Sequence, residues 1–215
     1  MSDNKPLRVV LASASPRRRE LLSAVVARYR VKEPNVLEEF TADPVEDALR
    51  LAREKALEVQ ARLGPGHVTI GADTIVFAGN RSYGKPEGAD EAREMLRALR
   101  GRTHSVVTAV AVASNGNVAD AEILSRVALT KLSDDEIQAY VASGRPLDKA
   151  GAYAIQDDDV PTVRKLWGCH CAVMGLPLWH VRRLLAPLGV PLKRPDTTYA
   201  RCAGCPAKDD AKKRP

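Results

Sequence analysis

The sequence predicts an α/β fold built on a mixed central sheet flanked by helices. Three observations predict it. Short apolar runs of strand-like composition alternate with amphipathic helical stretches along most of the chain. Asn115-Gly116 separates two long β-type runs, a two-residue hairpin signal that makes at least one strand pair antiparallel. Asp43-Pro44-Val45-Glu46 and Ser133-Asp134-Asp135-Glu136 are capping boxes that start helices. A chain of 215 residues, 45% hydrophobic and 28% charged, is long enough for one domain with a full core, or for two small lobes sharing a cleft.

The elements follow in order. Leu7 to Ala12 reads as a strand, broken in its apolar run only by Arg8. Ser15 then serves as a helix cap and Pro16 as the first helical residue, with Leu21, Leu22, Val25, Val26 and Tyr29 as the apolar face. Tyr29 to Lys32 is a short strand, and Glu33 to Glu39 an acidic loop. The next helix carries Val45, Leu49, Ala52, Ala56, Val59 and Leu63 on one stripe and ends at Gly64-Pro65-Gly66. His67 to Phe77 is a buried strand, and Gly79 to Gly88 a loop. A helix capped by Asp90 and stopped by Gly101 follows, with Ala92, Met95, Leu96 and Leu99 inward. Thr103 to Ala113 and Val118 to Thr130 are the hairpin strands. The helix begun at Ser133 ends at Gly144, and Arg145 to Asp159 has no period and reads as a functional loop. Pro161 to Trp167 and Cys169 to Met174 are expected as closing strands, and Gly175 to Leu188 as the last helix.

These elements place the folded domain at residues 1–190. Residues 191–215 read as a basic, flexible or loosely docked tail. Residues 193–215 hold seven Lys/Arg against three acids, so most of the net charge of +6 sits there and the body is nearly neutral. With only 4% aromatic residues the chain lacks the stacking platforms of a single-strand binder, and nucleic acid is not an expected partner. The longest apolar run, Val106 to Ala113, is far too short to span a bilayer, and the N-terminus has no targeting segment. The protein is expected in the cytoplasm, away from membranes. Its four cysteines form Cys169-His170-Cys171 and Cys202-Ala203-Gly204-Cys205. Two readings stay open for them: a zinc site of thiolates with or without His170, or a pair of small core residues plus a free tail pair.

Two features point to chemistry. Arg17, Arg18 and Arg19 fall in the first turn of a helix, where the dipole already repels cations. A bound polyanion resolves that conflict, since free N–H groups and guanidinium forks are what a phosphate chain needs; a solvated basic patch paired with acids is the alternative. Asp73 lies mid-strand, where Asp is rare and a carboxylate must be paired, metal-bound or facing a cleft. That makes it the leading catalytic candidate, against a local turn at Gly71-Ala72-Asp73-Thr74. Lys55 lies beside the stripe of its helix, either reaching a cleft or facing solvent.

Six ordered motifs resemble those of Maf-like nucleotide pyrophosphatases: Ser13-Ala14-Ser15-Pro16-Arg17-Arg18, Gly71-Ala72-Asp73-Thr74, Gly84-Lys85-Pro86, Gly101 to Val106, Lys149 to Gln156, and Gly175-Leu176-Pro177. The resemblance covers residues 7–188. It implies two lobes around a nucleotide cleft, similar to inosine triphosphate pyrophosphatases. It also implies hydrolysis of a nucleoside triphosphate at the α–β bond to a monophosphate and pyrophosphate, with a divalent cation, Mg²⁺ or Mn²⁺. The family is linked to clearing modified nucleotides and to arrest of cell division.

Carried over residue by residue, the resemblance makes Asp73 the proton acceptor and a metal ligand, with Glu39 as the second acidic ligand and Glu38 one step away. Ser15, Arg17, Arg18, Lys55, Lys85 and Lys149 become phosphate-side residues. Arg17, Thr74 and Gln156 match the branch acting on dTTP and UTP, rather than the sister branch that prefers 7-methyl-GTP. The Gln156 amide offers a donor and an acceptor to a pyrimidine edge. The chain departs from the family at Ala154, at Asp157-Asp158-Asp159 and at Cys169-His170-Cys171. The expected partner is the nucleoside triphosphate, with a homodimer left open. A nucleotide-sensing regulator without turnover and a broader house-cleaning pyrophosphatase are the competing readings.

Overall fold

The computed structural model describes residues 7–157 and 160–210. Seven strands form one mixed sheet: β1 (Arg8–Ala12), β2 (Arg30–Val31), β3 (His67–Ala78), β4 (Arg81–Tyr83), β5 (Thr103–Ser114), β6 (Asn117–Leu129) and β7 (Val163–Trp167). The order is β2-β1-β3-β5-β6-β7, and β4 pairs with the far end of β3. β1 runs parallel to β2 and β3, and every other pairing is antiparallel. The hairpin between β5 and β6 turns at Asn115 and Gly116, both at positive φ, as the sequence predicts.

The helices are α1 (Pro16–Ser23), α2 (Pro44–Leu63), α3 (Ala89–Leu99), α4 (Asp134–Ala142), α5 (His170–Val173), α6 (Leu178–Leu185), α7 (Pro195–Thr198) and α8 (Ala207–Asp210). Asp43 caps α2 by accepting from the N–H groups of Val45 and Glu46, and Ser133 with Glu136 completes a capping box on α4. Among the described residues, no helix is long and apolar enough to cross a membrane.

α2 lies unusually close to the sheet. Its Ala48, Ala52 and Ala56 pack on Ile75 of β3 and on Val107, Ala109 and Ala111 of β5. At Gly71 the two backbones nearly touch: a Cβ there would stand 2.2 Å from the Ala52 carbonyl oxygen and 2.7 Å from the Ala56 nitrogen. Only glycine permits that approach. The other face of the sheet carries two apolar cores. One joins α1, β1 and α6 around Leu22, Ile70, Leu176 and Leu178. The other joins α3 and α4 around Leu96, Leu129, Ile137 and Tyr140.

Several elements differ from their sequence reading. The Cys169–Met174 stretch is a single helical turn, α5, rather than a strand, because the Val173 and Met174 N–H groups close locally on the Cys169 and His170 carbonyls. The last helix starts at Leu178 and not at Gly175, since Gly175 has φ 110 and Pro177 caps the helix. The helix expected to be capped by Asp90 begins two residues earlier, at Ala89 with Gly88 as cap. The Gly79–Gly88 loop contains β4. Residues 191–208 lie against the domain: Leu192 bridges Val26, the Trp179 indole donates to the Cys202 carbonyl at 3.1 Å, and Cys202, Cys205 and Ala207 are buried. Lys212, Lys213 and Arg214 lie outside the described residues.

Candidate active site

The site begins with an interruption in the sheet. On one edge of β3, β1 pairs as far as Gly71 and β4 begins only at Val76. Ala72, Asp73, Thr74 and Ile75 therefore have a neighbour only in β5. Successive side chains of a strand point to opposite faces. Asp73 faces α2, Thr74 faces the other side, and the break lets both reach one opening. The strand continues through Asp73 without a turn, so the local-turn reading of Gly71–Thr74 is set aside.

Lys55 comes from α2 to meet Asp73. The close packing at Gly71 brings the helix within reach, and Lys55 is 5% exposed, so it is no surface lysine. Its Nζ donates to Asp73 Oδ1 at 2.6 Å and to Glu38 Oε1 at 2.6 Å. The Asp73 carboxylate is equally sheltered, while Glu38 is half-exposed. Burial alone pushes the Glu38 carboxyl up. The hydrogen bond and charge of Lys55, with Lys85 and Arg18 behind it, outweigh that and hold it below its usual value. Glu39, expected as a metal ligand, is exposed and does not line the opening, and among the described residues its backbone carbonyl is engaged by Arg50. The acidic loop has no periodicity to fix its register, and Glu38 is the residue that faces the site.

The turn into α1 forms the opposite wall. Ser15 caps the helix, its hydroxyl accepting from the Arg18 N–H at 3.4 Å, and Ser13 accepts from the Ser15 N–H at 3.1 Å. The three arginines then part. Arg19 is exposed and bonds back to the Ala14 carbonyl. Arg18 is a brace: Nε donates to the Gly175 carbonyl at 2.9 Å and Nη2 to Thr74 Oγ1 at 3.3 Å. Desolvation lowers its pKa, opposed by Asp73 and Glu38. Thr74 Oγ1 lies 3.0 Å from Thr108 Oγ1, which donates to the Ala172 carbonyl at 2.7 Å. With its proton so committed, Thr108 accepts from Thr74, and Thr74 accepts from Arg18. The chain has one direction and ends at a backbone carbonyl.

Arg17 stands at the rim. Its guanidinium grips Asp148 twice, Nη1 to Oδ2 at 2.9 Å and Nη2 to the carbonyl at 3.2 Å. Lys149 Nζ holds Asp148 Oδ1 at 2.6 Å. Burial pushes the Asp148 carboxyl up, and these two cations bring it net below its usual value. The loop continues to Tyr153, buried with its hydroxyl 2.7 Å from His104 Nε2. Burial drives the His104 pKa down to about 4 and the Tyr153 pKa above its normal range. Asp157, one of the acids that departs from the family pattern, accepts from the Tyr140 hydroxyl at 2.5 Å; Asp158 and Asp159 lie outside the described residues.

Together these groups enclose a pocket of about 540 Å³ between the two cores. Of the residues singled out in the sequence, Ser15, Arg17, Arg18, Lys55, Asp73, Thr74, Lys85, Lys149 and Gln156 all line it. The reading missed Asp148, Phe40, Tyr153 and Gly175, which also line it, and Thr108 behind it. Tyr153 and Gly175 had a visible signal in the motifs that contain them, and Asp148 only its place beside Lys149. The arrangement can do two things: present a fixed carboxylate to a water, and surround a polyanion with cations. A divalent cation fits the donor set, because Asp73 and Glu38 face one opening and such ions commonly take one or two carboxylates plus substrate phosphates.

A family model described as Maf-like protein matches residues 8–188. The chain is 45% identical over 205 residues to a dTTP/UTP pyrophosphatase of Thermomicrobium roseum, covering 92% of this chain and 93% of that one. It is 42% identical over 180 residues to one of Thermococcus kodakarensis, covering 82% and 96%. A third, of Aquifex aeolicus, is 42% identical over 185 residues, covering 86% and 97%.

Proposed function

The chain belongs to the Maf-like proteins, and we propose on that basis that it is a nucleoside triphosphate pyrophosphatase acting on dTTP and UTP. Water adds to one phosphorus of the α–β anhydride, that P–O bond breaks, and the products are a nucleoside monophosphate and pyrophosphate. The observation that carries the reading is the Asp73–Lys55 pair in the break of the sheet, ringed by the cations of the pocket.

Asp73 is the general base. Lys55 holds Oδ1 and fixes the carboxylate, which leaves Oδ2 to take the proton of the attacking water. Lys85, Lys149 and Arg17 line the pocket as cations for the leaving pyrophosphate. Arg18 acts more through position than through charge, because two of its donors are already spent on Gly175 and Thr74. Gln156 reads the pyrimidine edge with its amide. Asp73 and Glu38 would hold a divalent cation, Mg²⁺ or Mn²⁺, which neutralises phosphate charge when bound.

The test is a panel of nucleoside triphosphates incubated with the protein and Mg²⁺ or Mn²⁺, with pyrophosphate quantified. Pyrophosphate from dTTP and UTP, in preference to purine nucleotides, is expected. Its absence from both overturns the reading, and release from modified purines instead moves the protein to a broader house-cleaning role.

A further inference from the structure

The chain has only four cysteines, and they meet. Cys169 and Cys171 stand at the start of α5. Cys202 and Cys205 arrive from the segment that folds back along α6. All four are buried and none is in a disulfide. Cys171 Sγ lies 3.2 Å from Cys202 Sγ. Cys169 is in hydrogen-bonding contact with both Cys171 and Cys205, so the four sulfurs form one connected group. Backbone donors reach two of the four. The backbone N–H groups of Cys171 and Ala172 are directed at Cys169, and that of Ala207 at Cys205. Backbone N–H donors aimed at sulfur are the outer shell of a thiolate ligand set, whereas neutral thiols packed as small apolar residues have no need of them.

We propose that Cys169, Cys171, Cys202 and Cys205 together bind one zinc ion as a four-thiolate structural site that fastens the C-terminal segment to the domain. Cys202 and Cys205 have the two-residue gap usual for zinc ligands, and Cys169 and Cys171 a tighter one. As they stand, no three or more His, Cys, Asp or Glu side chains among the described residues are arranged to hold a metal ion, so binding requires the sulfurs to move. One part of that adjustment is small. Tetrahedral coordination with bonds of about 2.3 Å sets sulfurs roughly 3.8 Å apart, so the Cys171–Cys202 pair must open by about half an ångström. Binding displaces the remaining thiol protons to solvent. The site is separate from the divalent cation of the reaction, which takes oxygen ligands. It sits behind the phosphate wall, since the Ala172 carbonyl of α5 receives the Thr108 hydroxyl and the Gly175 carbonyl receives Arg18.

The full-length protein, purified without chelators, tests this by elemental analysis. About one zinc per chain is expected, released when a mercurial reagent titrates the thiols and detected with a colorimetric zinc indicator. The intact mass without reductant should be that of the fully reduced chain. The double change Cys202→Ser/Cys205→Ser should lose the zinc and make the segment after Val190 sensitive to protease. Zinc below about a tenth of an equivalent, even after refolding with added Zn²⁺, overturns the site. So does a mass lower by two or four hydrogen atoms, because that oxidation assigns the same contacts to disulfides. The wild-type stoichiometry stands whether or not the variant folds.

Discussion

The inner end of the pocket and its rim are built differently. At the inner end, Asp73 and Lys55 belong to a central strand and a long helix, are almost fully buried, and are joined at 2.6 Å. At the rim, Arg17 and Lys149 share Asp148, whose side chain is 59% exposed and sits on a 3-10 turn. The backbones that carry the inner pair are locked together, since α2 and β3 meet at Gly71 with no room even for a Cβ. The rim contacts can exchange for substrate, because exposed ion pairs are weakly held. Geometry that the reaction requires is thus anchored in regular structure, and groups that must let a nucleotide in and out are placed on irregular turns.

The sharpest way to break this comparison is Asp73→Asn. Loss of a general base costs roughly a thousandfold in kcat, with KM for dTTP changed by no more than a few-fold. Pyrophosphate release under saturating nucleotide measures it. A variant within tenfold of the parent rate would remove Asp73 from the role of base. Next in size is Lys55→Met. Deleting one partner of a buried ion pair leaves an uncompensated charge and costs about 4 kcal/mol, read as a lower midpoint in urea. The same change at rim residue Lys149, whose partner Asp148 is exposed and keeps Arg17, should cost less than about 1 kcal/mol.

His104 sits where the rim loop is tied to the sheet, through Tyr153. Its folded-state pKa, about 4, lies below the ordinary histidine value. The unfolded chain therefore takes up the proton first. The stability this group contributes is complete above about pH 6.5 and is lost as the pH falls to about 4, a change of roughly 3 kcal/mol. His104→Gln keeps a partner for the Tyr153 hydroxyl and removes that titration. Denaturant melts of the two proteins across this range should diverge on the acid side. Parallel curves would mean that His104 is solvated and that the loop is held by other contacts.

The same division explains what could be read from the sequence. Asp73 stood out because a carboxylate in an apolar strand violates a strong local preference, and the Asp43 cap of α2 and the capping box of α4 fixed the starts of those helices. Ordinary periodicity placed Lys55 beside the buried stripe of α2, but only the contact at Gly71 reveals why it reaches Asp73. Glu38 and Asp148 were harder, since irregular loops carry no period from which a facing residue can be deduced. The C-terminal segment was hidden for another reason. Its polar, proline-bearing composition resembles a tail, while its burial rests on a few positions, Cys202, Cys205 and Ala207, that gain partners only in three dimensions.

The smallest expected effect lies at Asp148, and it sharpens the comparison most. In the structure Arg17 and Lys149 each hold this carboxylate by one contact, and Arg17 also donates to the Asp148 backbone carbonyl. A triphosphate must compete for both cations. Asp148→Asn keeps the shape of the turn and the backbone carbonyl that Arg17 uses, but removes the competing charge. An exposed pair of this kind is worth less than about 1 kcal/mol, so KM for dTTP should fall by no more than about fivefold with kcat unchanged. The fall should shrink in high salt, where exposed charges are screened. If kcat drops instead, Asp148 positions the reacting phosphates and the rim belongs with the catalytic end. If KM rises, the Arg17–Asp148 contact preorganises the guanidinium for the nucleotide, and the rim is as rigid in function as the Asp73–Lys55 pair.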